Sequence, residues 1–192
     1  MAICVPKGFL VAGVHCRIKR DPQKRDLTLV MSETPASAAG VYTQNLVYAA
    51  PVALDRARTP SDRIQVVVIC SGVANACTGE RGLRDAEQMA RLAAAACAAK
   101  PDQALVLSTG VIGAFLPMDR IEQGIAAAAV KLGRNEASLM AAAYGMLTTD
   151  TVHKLAGRTV RIGDRDIQIT GMAKGAAMMG PLYGHHARAG DD

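Results

Sequence analysis

The central part of the sequence constrains the fold most strongly, because it alternates a strand, a helix and a second strand. The β-branched run Ile64–Cys70 ends in the turn formers Ser71-Gly72 and is apolar enough to predict a strand buried on both faces. Across Arg81–Ala99, apolar residues recur at spacings of three and four, which predicts an amphipathic helix. Ala104–Leu107 then predicts a short buried strand. This alternation indicates the α/β class.

The flanking sequence adds further helices, a strand and a hairpin to this unit. Gly163-Asp164 between two alternating runs is turn chemistry and predicts the hairpin, whereas Pro51 excludes a central strand where it stands. The other expected elements are a strand over Asp26–Met31, turn and short helix over Ala36–Val41 and Thr43–Asn45, an extended Ala50–Leu54, helices over Asp119–Leu132 and Asn135–Leu147, and hairpin strands over Arg158–Ile162 and Asp166–Thr170. We therefore expect a mixed sheet with flanking helices, in one domain over residues 1–181.

Composition excludes several classes of protein. Half of the residues are hydrophobic, which predicts a packed globular chain and not a disordered one. With two Phe, four Tyr and no Trp, the core must be built from aliphatic residues. No apolar run of about 18 residues is free of helix breakers, and the N-terminus has no secretory apolar region. We therefore expect no membrane span and a cytoplasmic location.

Charge and cysteine placement do not favour a nucleic-acid or metal site. The net charge is +5, and the basic run Arg17–Arg25 lacks the interleaved aromatic residues that stack on bases. A solvated turn is favoured for this run, with attraction of anionic substrates as the second interpretation. None of the five cysteines forms a CxxC pair, and His15-Cys16 lacks two further metal ligands at suitable spacing. We expect reduced thiols, buried filler at Cys16 and no metal.

Two stretches place small and hydroxyl residues at the ends of predicted strands. Cys70–Gly79 leads into a helix whose N-terminal amides would hold an anion, and a turn capped by Ser71 or Asn75 is an equal alternative. Ser108–Gly113 places a Thr hydroxyl beside a Gly amide, two donors suited to a developing oxyanion. An ordinary strand-end turn explains this second stretch equally well.

Two later stretches carry charged residues. Leu147–Thr151 combines three hydroxyls with the carboxylate of Asp150 at a helix end, where capping or turn formation is favoured over a general-base role. Met172–Pro181 places Lys174 among small apolar neighbours, so that its ammonium group either reaches water or meets a carboxylate. No single stretch decides the function, but their order along the chain does.

In this order the stretches resemble the motifs of the bifunctional ornithine acetyltransferase/glutamate N-acetyltransferase family, from residue 6 to residue 181. The matching segments are Cys70–Gly79, similar to the family's Asn-Ser-Gly-x-Ala-Asn-Ala-Cys-Thr-Gly, Ser108–Gly113 with Leu116–Met118, Thr148–Thr151, Ala173–Ala176, and Pro6–Phe9 with Ala12–Val14 at the start. Cys70 and Val73 depart from the pattern, because the family commonly has Asn at both positions. Each departure removes an amide that both donates and accepts hydrogen bonds.

The resemblance implies the N-terminal, alpha-chain part of a layered, self-cleaving Ntn-type acetyltransferase fold. In this family an internal Thr becomes the first residue of the beta chain and carries an acetyl group from N-acetylornithine to glutamate, in arginine biosynthesis. Bifunctional members also use acetyl-CoA as a substrate. By position, Thr109 and Gly110 would form the oxyanion hole, and Thr148 and Lys174 would bind substrate. The resemblance implies no metal or other cofactor, and an alpha2beta2 heterotetramer.

The sequence departs from the family at its end. After Gly180-Pro181 the family continues Asn-Met-Ala-Thr-Met-Leu, in which the Thr is the nucleophile, and by count His185 stands at that position here. We expect residues 182–192 to be a divergent tail, frameshifted or disordered, in preference to a metal site at His185-His186. The chain would then lack the nucleophile, be inactive alone and expose apolar surface that the beta chain would cover.

Two other functions remain open from the sequence. A truncated, non-catalytic remnant or interaction subunit would keep the scaffold without the nucleophile. A related self-processing aminopeptidase is the second, and Thr148–Thr151 with Ala173–Gly175 fits the acetyltransferases better.

A single extra nucleotide after Leu182 would account for the tail. Permitted codons from Tyr183 onward, read one nucleotide later, encode Met-Ala-Thr-Met-Leu-Ala-Pro-Val-Met. We therefore expect a frameshifted, truncated family member or an error in the gene sequence. Resequencing the gene around the Leu182 and Tyr183 codons should reveal a Met-Ala-Thr-Met-Leu reading frame next to them. Absence of that frame would reject the frameshift.

Overall fold

The computed structural model describes residues 3–176, which form a four-stranded sheet, four α-helices and a separate hairpin. The elements are β1 (Phe9–Val14), β2 (Leu27–Ala38), α1 (Ala50–Arg58), β3 (Ser61–Val73), α2 (Gly79–Ala96), a 3-10 turn (Pro101–Gln103), β4 (Ala104–Val111), α3 (Met118–Ala129), α4 (Glu136–Gly145), and the hairpin of β5 (Lys154–Ile162) and β6 (Arg165–Ala173). In the sheet, of order β1-β2-β3-β4, only β3 and β4 pair in parallel. The predicted α/β class with a mixed sheet is confirmed, whereas the tail 182–192 lies outside the described residues.

Helix α2 joins the two parallel strands and packs an alanine-rich face on them. Ala90, Ala93 and Ala94 are fully buried and share one core with strand residues such as Val68 and Val106. Small side chains on the buried face leave the interior to be filled by the aliphatic residues of the strands at close-packed density. A chain that is almost free of aromatic residues can therefore still form a continuous core.

Helices α3 and α4 cover opposite faces of the sheet. Ala12 belongs to the core that also contains Ile121 of α3, whereas Val11 packs with Leu139 of α4 in a second cluster. Successive residues of a strand point to opposite faces, so the two helices lie on opposite sides of β1. Helix α4 lies so close to the strand that a Cβ added at Gly13 would be 1.8 Å from a backbone oxygen of α4. A glycine is therefore required there.

Helix α1 covers part of the free edge of β4. The Asp55 carboxylate accepts a hydrogen bond from the Val106 N–H at 3.0 Å, and the Arg58 guanidinium donates to the Ala104 carbonyl at 2.5 Å. An edge strand presents unpaired backbone groups, and these two side chains satisfy one donor and one acceptor. Burial raises the pKa of Asp55 to about 6, although the Val106 N–H and Arg58 oppose the shift.

Three expectations for the first half of the chain were wrong. Residues 50–54 are helical because Pro51 stands in the first turn of α1, where no backbone N–H is needed. Strand β2 does not end at Met31. It passes through a register shift that contains Pro35 and continues to Ala38, which pairs with Ser61. Residues 43–45 form no helix, and β1 was not predicted.

Apolar side chains remain exposed on the hairpin and beyond the end of β4. Val111 and Ile112 are each 61% exposed, and Ile162 and Ile169 of the hairpin are 64% and 56% exposed. The expected exposed apolar surface is therefore present in residues 3–176. No helix within this range has both the length and the apolar character needed to cross a bilayer.

The raised pKa of Asp55 predicts a specific dependence of stability on pH. The Asp55 carboxyl group keeps its proton up to about pH 6 in the folded protein but only up to about pH 4 in the unfolded chain. The stabilisation that comes from this difference is therefore complete below about pH 4 and is lost as the pH rises through about 6. Urea denaturation should show wild type losing about 2 kcal/mol relative to D55N between about pH 4.5 and pH 7. The amide of D55N still accepts from the Val106 N–H. D62N, at an exposed carboxylate, is the control and should show no such difference.

Candidate active site

A cleft of about 910 Å³ lies where β3 and β4 end together. Its walls come from those strand ends, the β1–β2 loop, the segment after α4 and the segment after β6. The lining residues are Lys19, Arg20, Asp21, Lys24, Gly72, Thr109, Gly110, Val111, Thr148, Thr149, Lys174, Gly175 and Ala176. The four residues singled out from the sequence, Thr109, Gly110, Thr148 and Lys174, therefore meet in one cavity although 65 positions separate the first from the last.

Two glycines allow the strand ends to approach each other at the floor of the cleft. Gly72 and Gly110 are register partners in the parallel pair, with φ of +151° and +133°. A Cβ on Gly110 would lie 2.3 Å from the Gly72 carbonyl carbon, and a Cβ on Gly72 would lie 2.6 Å from Cγ2 of Ile18. Both positions therefore require glycine, and Gly110 presents bare backbone to the cavity.

Lys174 and Thr109 contact each other directly across the cleft. The Lys174 ammonium donates a hydrogen bond to Oγ1 of Thr109. A lysine ammonium has three donors and no acceptor, so the Thr109 hydroxyl hydrogen cannot point towards it. That hydrogen is left to donate to another group, and the adjacent positive charge strengthens the Thr109 hydroxyl as a donor.

The Asp150 carboxylate lies behind the cleft and joins two of its walls. Its side chain is fully buried and accepts from the Gly175 N–H at 2.6 Å, the Lys154 ammonium at 2.6 Å and, more weakly, the Thr148 N–H at 3.4 Å. The hydrogen bond from Lys154 lowers the pKa of Asp150 to about 2, helped by the two backbone amides and opposed by burial. Asp150 is therefore ionised at neutral pH, and a carboxylate with so low a pKa is a weak base. The contact with the Thr148 N–H is the turn contact expected from the sequence, and it is one of three hydrogen bonds that Asp150 accepts.

The β1–β2 loop is held in place by a second buried carboxylate. Asp26 accepts hydrogen bonds from the N–H groups of Cys16, Ile18 and Lys19 at 2.6, 2.8 and 2.9 Å. The Lys19 ammonium then donates to the carbonyls of Arg25 and Leu147, both at 2.6 Å, and burial lowers its pKa. The loop is thereby tied to the segment that carries Thr148.

Sequence reasoning missed the contribution of this loop. The basic run was interpreted as a solvated turn, and it does form turns in which Arg20 and Lys24 are exposed, but together with the half-buried Lys19 these two side chains also line the cleft. Their positive charge supports the second interpretation, attraction of anionic ligands. The run also contains Asp21 and is followed by Asp26, and its sequence does not reveal which of these side chains face the cleft. Cys16, in contrast, is buried core as expected.

Most of the stretch Cys70–Gly79 supports the fold and not the cleft, which only Gly72 lines. Asn75 is fully buried, donates to the Gly82 carbonyl at 2.9 Å and accepts from the Thr78 hydroxyl at 2.8 Å, so it braces the turn into α2. Ser71 donates instead to the Gly145 carbonyl at 2.5 Å. Neither caps α2, whose N-cap is Thr78, so the capping interpretation was wrong in detail.

Cysteine chemistry and metal binding find little support in the described residues. Burial raises the pKa of Cys70 to about 12, so its thiol is protonated at neutral pH and inert as a nucleophile. All five cysteines are unpaired. Among residues 3–176 no three side chains of His, Cys, Asp or Glu cluster as metal ligands would.

Comparison with known proteins finds one family over most of the chain. The ArgJ family matches residues 10–184. The arginine biosynthesis bifunctional protein ArgJ of Symbiobacterium thermophilum is 49% identical over 180 residues, which are 93% of this chain and 44% of the relative. ArgJ of Thermotoga neapolitana is 44% identical over 180 residues, with coverage of 92% and 44%. The chain thus spans less than half the length of these curated relatives.

Solved structures match the chain nearly end to end. ArgJ from Bacillus halodurans superposes with a TM-score of 0.84 at 38% identity and covers 92% of this chain and 91% of its own. Ornithine acetyltransferase from Mycobacterium tuberculosis, solved with ornithine, gives 0.85 at 38% identity, with coverage of 92% and 93%. The expected Ntn-type layered fold is confirmed by these structures. Because the family matches nine tenths of the sequence and the solved members share its architecture, this chain belongs to the ArgJ family.

Proposed function

We propose that this chain is the part of an arginine-biosynthetic acetyltransferase that supplies the oxyanion hole and substrate-binding residues. The reaction is transfer of an acetyl group from N-acetylornithine to glutamate through an acyl-threonine. The observation that carries this proposal is the meeting of Thr109, Gly110, Thr148 and Lys174 in one cleft. The names of the relatives and the ornithine bound to the Mycobacterium tuberculosis protein support the substrate class.

The direction of the contact between Lys174 and Thr109 supports an oxyanion role for Thr109. Attack on an acetyl carbonyl develops negative charge on the carbonyl oxygen, and preorganised donors stabilise that charge. The Thr109 hydroxyl has its oxygen occupied by the ammonium and its hydrogen free to donate. In this proposal the Gly110 N–H is the second donor, and a glycine there lets the substrate oxygen approach the backbone.

The same contact argues against Thr109 as the nucleophile. A threonine hydroxyl needs an adjacent base to remove its proton, and the Lys174 ammonium can only donate. We propose that the nucleophile is an N-terminal threonine of a separate beta chain produced by self-cleavage. The curated relatives are more than twice as long as the matched segment, whereas the matched chains in the solved structures are nearly covered by it, which supports a division into two chains.

Substrate binding follows from the charges around the cleft. We propose that Lys174 pairs with the substrate carboxylate and that the Thr148 hydroxyl hydrogen-bonds the same ligand. Both acyl donor and acceptor are carboxylates, and Lys19, Arg20 and Lys24 add positive charge on the cleft wall. Acetyl-CoA as a further substrate, an alpha2beta2 assembly and a cytoplasmic location complete the proposal. No other cofactor is required for this chemistry.

The first test is reconstitution of the two-chain enzyme. The chain is co-expressed with the segment of the Symbiobacterium thermophilum relative that lies beyond the matched part, processed to begin at its threonine. We expect a stable complex that transfers acetyl from N-acetylornithine to glutamate, measured as release of ornithine. A complex that forms but transfers nothing would support the interaction subunit instead. Each chain alone should be inactive, because neither holds the whole site.

The second test addresses the oxyanion hole through Thr109. T109V keeps the shape of the side chain but has no hydrogen to donate, so kcat of the reconstituted enzyme should fall about 100-fold with little change in KM. T109S retains the hydroxyl and should keep most of kcat. Steady-state kinetics gives both values, and thermal melting checks that both variants fold. Equal kcat for T109V and T109S would contradict the role.

A further inference from the structure

The Asp150 carboxylate is the only described side chain that hydrogen-bonds the backbone of both substrate-binding segments. Its Oδ1 accepts from the Gly175 N–H, next to Lys174, and its Oδ2 is 3.4 Å from the Thr148 N–H. The two segments are separated in sequence by the whole hairpin β5–β6. Asp150 therefore links walls of the cleft that the chain itself connects only through a long excursion.

The Lys154 ammonium strengthens this link at the base of the hairpin, because it binds both Asp150 and Gly175. Lys154, the first residue of β5, donates to Asp150 at 2.6 Å and to the Gly175 carbonyl at 2.8 Å. Lys154, Asp150 and Gly175 thus form a closed triangle of hydrogen bonds where β5 begins and β6 has just ended. A buried carboxylate can accept several hydrogen bonds at once only when the donors are arranged in one particular way. The backbone that carries those donors is therefore restricted in conformation.

Asp150 does not itself line the large cleft. It borders a smaller adjoining cavity of about 340 Å³, together with Tyr144 and Thr151. Its side chain is inaccessible to solvent and does not line the large cleft, so it makes no direct contact with a ligand held there. Any effect of Asp150 on catalysis must pass through Thr148 and Lys174.

We propose that Asp150 is a positioning residue, whose buried carboxylate holds the Lys174 ammonium and the Thr148 side chain in the cleft by binding the adjacent backbone amides. The effect of Asp150 on catalysis rests on the proposed function, whereas its effect on the structure of the cleft rests on these hydrogen bonds alone. Without the carboxylate, the segment after β6 loses its link to the Thr148 segment and keeps only the hydrogen bond from Lys154 to the Gly175 carbonyl, so Lys174 is no longer held against Thr109. Binding of the substrate carboxylate and hydrogen-bond donation to the oxyanion are then weakened together.

Three variants separate this role from general stabilisation. D150A removes every acceptor, and D150N keeps the Oδ1 acceptor for Gly175 while removing the negative charge that faces Lys154. D166A is the matched control, because it breaks an exposed ion pair with Arg161 at the far end of the same hairpin. Thermal melting of all three reports any general loss of stability.

The first measurement is amide hydrogen exchange of the 192-residue chain by NMR, which needs no activity. Exchange of the Gly175 N–H should accelerate by at least about 10-fold in D150A, because it loses a buried acceptor. D150N should fall between D150A and wild type, and D166A should match wild type. Unchanged exchange of Gly175 in D150A, or an equal change in D166A, would overturn the inference.

The second measurement is steady-state kinetics of the reconstituted enzyme. D150A should raise KM for N-acetylornithine and lower kcat, with kcat/KM falling about 100-fold, whereas D150N should recover much of it. In a background that carries both T148V and K174A, the same D150A change should cost less than about 3-fold, because both of its routes into the cleft are gone. A loss from D150A as large in that background as in the wild type would overturn the inference. An inactive wild-type complex would reject the proposed function, and Gly175 exchange would still decide the role of Asp150.

Discussion

The parallel pairing of β3 with β4 is the constraint on which the site depends. Parallel strands end at the same edge of a sheet, and the observed register sets Ser71 beside Thr109 and Gly72 beside Gly110. Helix α2 makes this pairing possible by crossing the sheet with a face of alanines. The two glycines then let the strand ends and the loop at Ile18 meet at close range. A side chain at either glycine would separate them, and the Thr109 hydroxyl and Gly110 amide would lose their place in the cleft.

Two buried carboxylates, Asp26 and Asp150, hold the loops that surround the strand ends, and both do so for the same physical reason. An ionised carboxylate removed from water must be compensated by several donors, and backbone amides provide them only when the loop takes one conformation. Asp26 collects three amides and so shapes the loop that carries Lys19. Asp150 collects the amides beside Thr148 and Lys174. Lys19 joins the two systems, because its ammonium reaches the Leu147 carbonyl.

The sequence predicted those features that depend on local periodicity or on motif order. The period of α2 and the turn at Gly163 were sufficient for the helix and the hairpin, and motif order brought Thr109 and Lys174 into one hypothesis. Pro51 misled because a proline fits the first turn of a helix as well as an extended segment. The partnership of Asp150 with Gly175 could not be predicted, because the two lie 25 residues apart and only the closed hairpin brings them together.

The geometry of the cleft favours a site prepared for negative charge and not for nucleophilic attack. Its lining carries four cations and one carboxylate, Asp21. Three of the cations come from the β1–β2 loop that Asp26 holds, and Lys174 comes from the segment that Asp150 holds. Among the cleft hydroxyls that the structure describes, that of Thr109 contacts a cation, and this contact leaves its hydrogen to donate. In the proposed function, a cleft that stabilises an oxyanion and binds a carboxylate would receive its nucleophile from another polypeptide segment. In that proposal Asp26 and Asp150 hold the side chains of the cleft in place from outside it, since neither of them lines it.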